Sequence, residues 1–246
     1  MIKKTNTAVF FSMALLFLLV FSHVCQAQKR SSGAGIRFSF GPALGLYSIN
    51  EHHAINPRQK MSAMFSFKKE VRCDKSYKTF FLFGVEYFLH GVNFKSYYFK
   101  PDSLQLYDKT FPYDYSLIIN EVGVPLQFKY SFKRENNSIF CPYVMIGYHL
   151  RYLLPANLKV SQNGEKVKED VVDLKFKTPF ITDHLNSFVS ATFGLQKNSV
   201  TSSRTNFFAE INFRYGFSQY YFEKSYAASS LYMNGVHLAL QLGFKF

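Results

Sequence analysis

The chain has 246 residues, a formal net charge of +13, and 17 Tyr and 29 Phe without a single Trp. Its mean hydropathy of −0.08 excludes a protein built mainly of membrane-spanning helices. The Lys and Arg residues are scattered, with no basic run and no basic helix, which sets nucleic acid aside as a partner.

The first segment reads as an export signal. Lys3 and Lys4 precede an apolar run over residues 8–21, and Cys25-Gln26-Ala27 supplies a cleavage site. Residues 1–27 are therefore expected to be a cleavable signal peptide and residues 28–246 the mature domain. A lipoprotein anchor at Cys25 is the alternative, which His23 and Val24 suit poorly. Export permits a disulfide between Cys73 and Cys141, although cysteines so far apart in sequence are more often unpaired, and the sequence leaves their pairing open.

The first predicted strand covers residues 36–47. Ile36, Phe38, Phe40, Pro42, Leu44 and Leu46 share one face, while Arg37, Ser39, Gly41, Ala43 and Gly45 share the other. A polar break over 48–59 follows. The second strand, 60–72, places Met61, Ala63, Phe65, Phe67 and Val71 together. The third, 79–94, sets Phe81, Phe83, Val85, Tyr87 and Leu89 against Leu82, Gly84, Glu86, Phe88 and His90, with a bulge expected at Gly91. An aromatic, polar loop over 95–115 comes next.

The fourth strand, 117–132, opposes Val122, Val124, Leu126, Phe128 and Tyr130 to Glu121, Gly123, Pro125, Gln127 and Lys129. Pro125 cannot donate to a ladder, so a bulge or a local break is expected there. The fifth, 138–153, sets Val144, Ile146, Tyr148 and Leu150 against Tyr143, Met145, Gly147, His149 and Arg151. The longest unpatterned stretch, 154–186, reads as a loop rich in Lys, Glu and Asp. The sixth strand is 187–196 and the seventh 205–217, where Phe207, Ile211, Phe213 and Tyr215 oppose Glu210, Asn212 and Arg214. The eighth, 236–246, alternates Val236, Leu238, Leu240, Leu242, Phe244 and Phe246 with His237, Ala239, Gln241, Gly243 and Lys245.

Eight strands of roughly the ~9–11 residues that cross a bilayer, with long and short connections in alternation, predict an all-β, eight-stranded, antiparallel up-and-down transmembrane β-barrel. The place this implies is the bacterial outer membrane, with its lipids as the first partner. The face turned from lipid then lines the lumen. It carries Arg37, Glu86, Glu121, Lys129, Arg151, Glu210, Arg214 and Lys245, with His149 and His237. Eight strands enclose a space that side chains can fill, so these charges are expected to pair and to plug it. Tyr97, Tyr98, Tyr113, Tyr115, Tyr148, Tyr152, Tyr220, Tyr221 and Phe222 are expected in an outer aromatic girdle, and Phe132 and Phe246 in an inner one.

No phosphate loop, dinucleotide fingerprint, zinc motif or nucleophile elbow occurs. No catalytic residue, cofactor or metal is expected, and His52-His53 reads as a solvated loop pair. His90 and His149 approach the outer rim, but the sequence pairs neither with a particular serine.

Glu121-Val122-Gly123-Val124-Pro125-Leu126-Gln127-Phe128-Lys129-Tyr130, then Pro142-Tyr143-Val144-Met145-Ile146-Gly147, and the final Leu-Gly-Phe-Lys-Phe resemble the PorT-like outer-membrane β-barrel family of Bacteroidetes. The resemblance covers residues 28–246. It implies a non-enzymatic barrel that serves as an interaction or assembly component, linked to type IX protein secretion. Its partners would be envelope or secretion proteins met through the outside loops 95–115 and 154–186. A lipid-modifying enzyme and a passive structural barrel are the alternatives.

Overall fold

The computed structural model describes residues 35–49, 55–74, 78–99, 106–107, 111–132, 140–177, 182–197, 206–222 and 231–246. The expected signal segment and the His52-His53 pair lie outside them. In chain order the strands are β1 (Gly35–Ile49), β2 (Ile55–Arg72), β3 (Thr79–Ser96), β4 (Tyr98–Phe99), β5 (Leu106–Tyr107), β6 (Tyr113–Ser131), β7 (Phe140–Leu153), β8 (Ala156–Gln162), β9 (Glu165–Val172), β10 (Lys175–Phe176), β11 (Leu185–Lys197), β12 (Asn206–Gly216), β13 (Tyr220–Phe222) and β14 (Leu231–Lys245).

Eight of these, in the order β1-β2-β3-β6-β7-β11-β12-β14, form a continuous antiparallel sheet, and β14 returns to pair with β1. The seam matches Phe38 with Phe244 and Phe40 with Leu242. Backbone bonds between Ile36 and Phe246 fasten its end, at 3.0 and 2.9 Å. Closure of these eight strands removes their free edges, which crossing a bilayer requires.

The outward face is apolar. Phe67, Phe128, Ile146, Phe193, Phe207, Ile211, Leu240 and Leu242 are exposed around the wall, Ile146 by as much as 69%. The inward face of the same strands is charged and buried. A water-soluble fold would not leave so many large apolar side chains uncovered. Hydrocarbon is the medium in which this distribution is stable.

Beyond the membrane band the polarity reverses. On β6, inward Glu121, Gln127 and Lys129 give way to inward Tyr113, Tyr115, Leu117 and Ile119, all buried. Outward Val122, Val124 and Phe128 give way to Asp114, Ser116 and Asn120. The strand keeps its pleat; only its surroundings change, from lipid to water. The upper inward residues join Val92, Phe94, Leu153, Ala156, Leu158, Val160, Val172, Leu174, Phe176, Phe188, Tyr220 and Met233 in one apolar cluster that caps the lumen.

Residues 154–186 are therefore not the patternless loop that their charge suggests. After Pro155 the chain continues along β6 as β8, with Asn157 opposite Ile118 and Ser161 opposite Asp114. It turns at Asn163-Gly164, where both residues have positive φ, 51° and 85°, the conformation that a two-residue Asn-Gly hairpin turn requires. It returns as β9. The alternation of buried Ala156, Leu158 and Val160 with exposed Asn157 and Lys159 was masked by the mixed charges of β9. On the other side β10 pairs with β13, and β13 with β14.

The loop expected over 95–115 is likewise shorter, because β3 runs on to Ser96 and β6 starts at Tyr113. The bulge expected at Gly91 sits across from it on β2. Lys60 pairs with Gly91 and Ala63 with Leu89, so β2 holds the extra residue while β3 keeps its phase. At Pro125 the register with β7 is continuous, opposite His149. Toward β3 the pairing skips from Phe83–Leu126 to Glu86–Gly123, so the ladder breaks without slipping. Tyr113, Tyr115 and Tyr220 belong to the cap's interior rather than to a girdle, while Phe132 and Phe246 are exposed at the opposite rim.

Candidate functional site

The short turns and the ends of β1 and β14 mark the inner end of the barrel. There the lumen holds its first ion cluster. Glu70 accepts from Arg37 at 2.9 Å, Lys129 at 3.2 Å and Lys245 at 2.5 Å. Arg37 also pairs with Glu210 and donates to the Tyr143 hydroxyl at 2.8 Å, and Tyr143 donates to Glu210 at 2.7 Å. Two aromatic faces complete the cluster: Phe208 lies 3.8 Å from the Arg37 guanidinium carbon and Tyr143 lies 4.4 Å from Lys129 Nζ. The Tyr143 ring occupies the space over Gly194, which any side chain there would fill.

The second cluster lies toward the cap. Arg214 grips both oxygens of Glu86, at 2.6 and 2.9 Å. Such fork-on-fork geometry is the strongest arrangement of these two groups. Arg151 bonds Glu121 at 2.8 Å and reaches Glu86 at 3.5 Å. Its guanidinium lies between the rings of Phe88 and Phe188, at 4.9 and 4.5 Å. From the cap, Tyr220 donates to Glu121 at 2.6 Å. Phe188, Tyr220 and His237 are thus the floor of the apolar cap and the roof of the ion cluster.

All eight charged residues expected to line the lumen face it, seven of them buried and Lys245 at the rim. The structure adds Glu70, which three of the cations share, and Lys68. Both lie on the second strand, where Ser66, Lys68 and Glu70 alternate with Phe65, Phe67 and Lys69. That alternation was the signal available to find them.

A further constellation was not visible in the sequence. His149 Nδ1 meets Glu86 at 2.8 Å, and its Nε2 meets Ser190 Oγ at 2.7 Å. Glu86 can only accept, so Nδ1 carries the proton and Nε2 faces the serine. The connectivity is that of a hydrolase triad. Its setting differs. Glu86 and His149 are at most 1% exposed, Ser190 is 7% exposed, and both oxygens of Glu86 are occupied by Arg214. Among the described residues no group of three or more His, Cys, Asp or Glu could hold a metal ion. Cys73 and Cys141 form no disulfide among the described residues.

No protein-family model and no curated protein sequence matches the chain. Among solved structures, it is similar to the outer membrane protein OprG from Pseudomonas aeruginosa, with a TM-score of 0.52 and 11% identity over 88% of this chain and 97% of that one. Neisserial surface protein A aligns at 12% identity and a TM-score of 0.41 over 87% of this chain and 96% of that one. Ail, the attachment invasion locus protein of Yersinia pestis, aligns at 11% identity and a TM-score of 0.32, over 88% and 100%. The likeness to OprG is one of fold. This chain is a transmembrane β-barrel. A closed eight-stranded cylinder with an apolar outer band and a charged interior is the form in which β-proteins span the bacterial outer membrane, and that is where it resides.

Proposed function

We propose that the protein is a non-enzymatic outer-membrane barrel that binds another envelope or secretion protein through its cap. One observation carries this reading: the chain builds an apolar-cored structure beyond the membrane band and, among the described residues, gives its strand β9 a single neighbour. β9 pairs with β8 alone among the described residues. It presents Val167, 42% exposed, between Lys166 and Lys168, and Val171, 65% exposed, after Asp170. A passive anchor needs no such extension, and recognition is usually carried by outer segments on a rigid scaffold. An edge strand with apolar positions flanked by charge suits strand addition by a partner chain, while the charges suppress pairing with itself. The resemblance of residues 121–130 to the PorT-like family supports type IX export as the process this partner serves.

The Ser190–His149–Glu86 chain is the observation that favours a lipid-modifying enzyme. Its burial and the Arg214 clamp place that reading second.

The test is a double substitution on the open strand, Val167→Lys with Val171→Lys. Both side chains face outward, so the barrel is expected to fold and insert as before, read by its heat-modifiable migration on gels. Surface delivery of type IX cargo is expected to fall. Unchanged cargo on cells carrying the folded variant would contradict the proposal.

A further inference from the structure

Between the two ion clusters the lumen holds a layer of a different kind, made of Ser39, Ser66, Lys68, Gln127, Thr192, Asn212 and Gln241. All are buried. Its charge does not balance. The buried cations are Arg37, Lys68, Lys129, Arg151 and Arg214, with Lys245 at the rim, against the carboxylates Glu70, Glu86, Glu121 and Glu210. Every carboxylate is engaged by a cation other than Lys68. Lys68 is 2% exposed, and among the described residues no carboxylate lies within ion-pairing distance of it. Its one hydrogen bond among the described residues is to Gln127 Oε1, at 2.8 Å. From farther off, Glu210 and Glu86 act on it in one sense and Arg214 and Arg37 in the other. Taking an unpaired ammonium out of water is costly enough that a counter-charge is expected.

The same layer has spare donors. Lys68 keeps two N–H groups beyond the bond to Gln127. Among the described residues Gln127 Nε2, Asn212 Nδ2 and Thr192 Oγ1 have no partner. Thr192 and Asn212 sit directly opposite each other on β11 and β12. Gln127 crosses over Gly147 toward β11, its Cγ and Ser190 Oγ both filling the space above that glycine. One acceptor, Gln241 Oε1, is also unpartnered. Its amide donates to Ser39 Oγ at 3.0 Å, and the Ser39 and Ser66 hydroxyls can reverse, so that amide can turn its N–H groups inward instead. Excess positive charge and unmet N–H and O–H groups at one level of a sealed lumen have a common solution.

We propose that this layer binds a small monovalent anion, chloride in the cell, with Lys68 as its counter-charge and Gln127, Asn212 and Thr192 as hydrogen-bond donors. A water molecule would satisfy donors without neutralising Lys68. Because the lumen is capped at one end and bridged by ion pairs at the other, the anion enters during folding and exchanges slowly afterwards.

The experiment is refolding from urea into micelles in sodium chloride or in sodium gluconate of equal ionic strength, followed by thermal unfolding read by far-ultraviolet circular dichroism. Chloride is expected to raise Tm by about 5 °C or more, the shift for an anion ~100-fold above its Kd. Bromide should act like chloride. Lys68→Met removes the charge at nearly constant volume, and its Tm should be the same in both salts. As an independent reading, crystals of the unaltered protein grown in bromide should show an anomalous peak in contact with Lys68 Nζ. Equal Tm values in the two salts, an undiminished salt effect in Lys68→Met, or water in place of the bromide peak would each overturn the proposal.

Discussion

Replacing Glu86 by Leu is expected to cost about 3–5 kcal/mol of folding stability, the penalty for leaving a buried charge unpaired. Glu86 is the hub of the upper cluster. It holds Arg214 through both oxygens, accepts from His149 at 2.8 Å and lies 3.5 Å from Arg151. Leucine would leave Arg214 with only the 2.9 Å bond from its Nε to Asn212. Water cannot compensate, because the apolar cap lies above. The measurement is the urea midpoint of the barrel in lipid vesicles. Adding Arg214→Met to Glu86→Leu should restore much of the loss, since an apolar pair of similar volume tolerates this site better than half an ion pair. A cost below ~1 kcal/mol, the worth of a surface pair, would mean that water reaches Glu86 and that the lumen is not sealed.

Phe188→Ala should be comparably severe, about 3–5 kcal/mol from lost burial and the cavity it leaves. Phe188 is fully buried where the cap meets the ion cluster. Its ring covers the Arg151 guanidinium at 4.5 Å and lies 6.4 Å from Phe176 and 5.8 Å from His237. The ring also fills the space over Gly216. Alanine would open a path from the cap to Arg151, so the variant should also unfold earlier when heated in vesicles. Phe188→Leu keeps most of the apolar volume and should lose far less. If alanine cost no more than an exposed substitution, under ~0.5 kcal/mol, the cap would not be packed as described.

Alternation alone carried much of this architecture. In β14 the run from Val236 to Lys245 divides its residues between lipid and lumen without exception, and Arg37, Glu121, Lys129 and Arg214 fall inward by the same two-residue period. What the period cannot tell is which medium lies on each side. At the outer end of β6, Tyr113 and Tyr115 continue the inward phase of Glu121, yet they meet an apolar core because the strand has left the membrane. Read as interfacial aromatics, they were assigned to the wrong surface. β8 and β9 were missed for a related reason. A hairpin with one face in water and several charges has a weak pattern, and its partner on β6 lies about 40 residues away in sequence.

The contacts within the lumen were less legible than its lining. Glu86 and Arg214 are 128 residues apart, and Arg37 and Glu210 are 173 apart. Which charges meet across a cylinder depends on stagger between strands that no single strand encodes. Ser190 shows the same limit. Nothing in Asn-Ser-Phe-Val-Ser-Ala marks it, and it reaches His149 only because β11 lies beside β7, with Ser190 opposite Gly147.

The account stands most directly on where the wall of the barrel meets lipid. Nitroxide labels at Phe193, Ile211 and Leu240, placed one at a time by cysteine substitution in a Cys73→Ser, Cys141→Ser background and reconstituted in vesicles, report this through collisions. Oxygen dissolves in hydrocarbon and a charge-neutral nickel chelate in water. Relaxation of all three labels dominated by oxygen is the predicted result; relaxation dominated by the nickel chelate would show those side chains facing water and would contradict a membrane-spanning barrel.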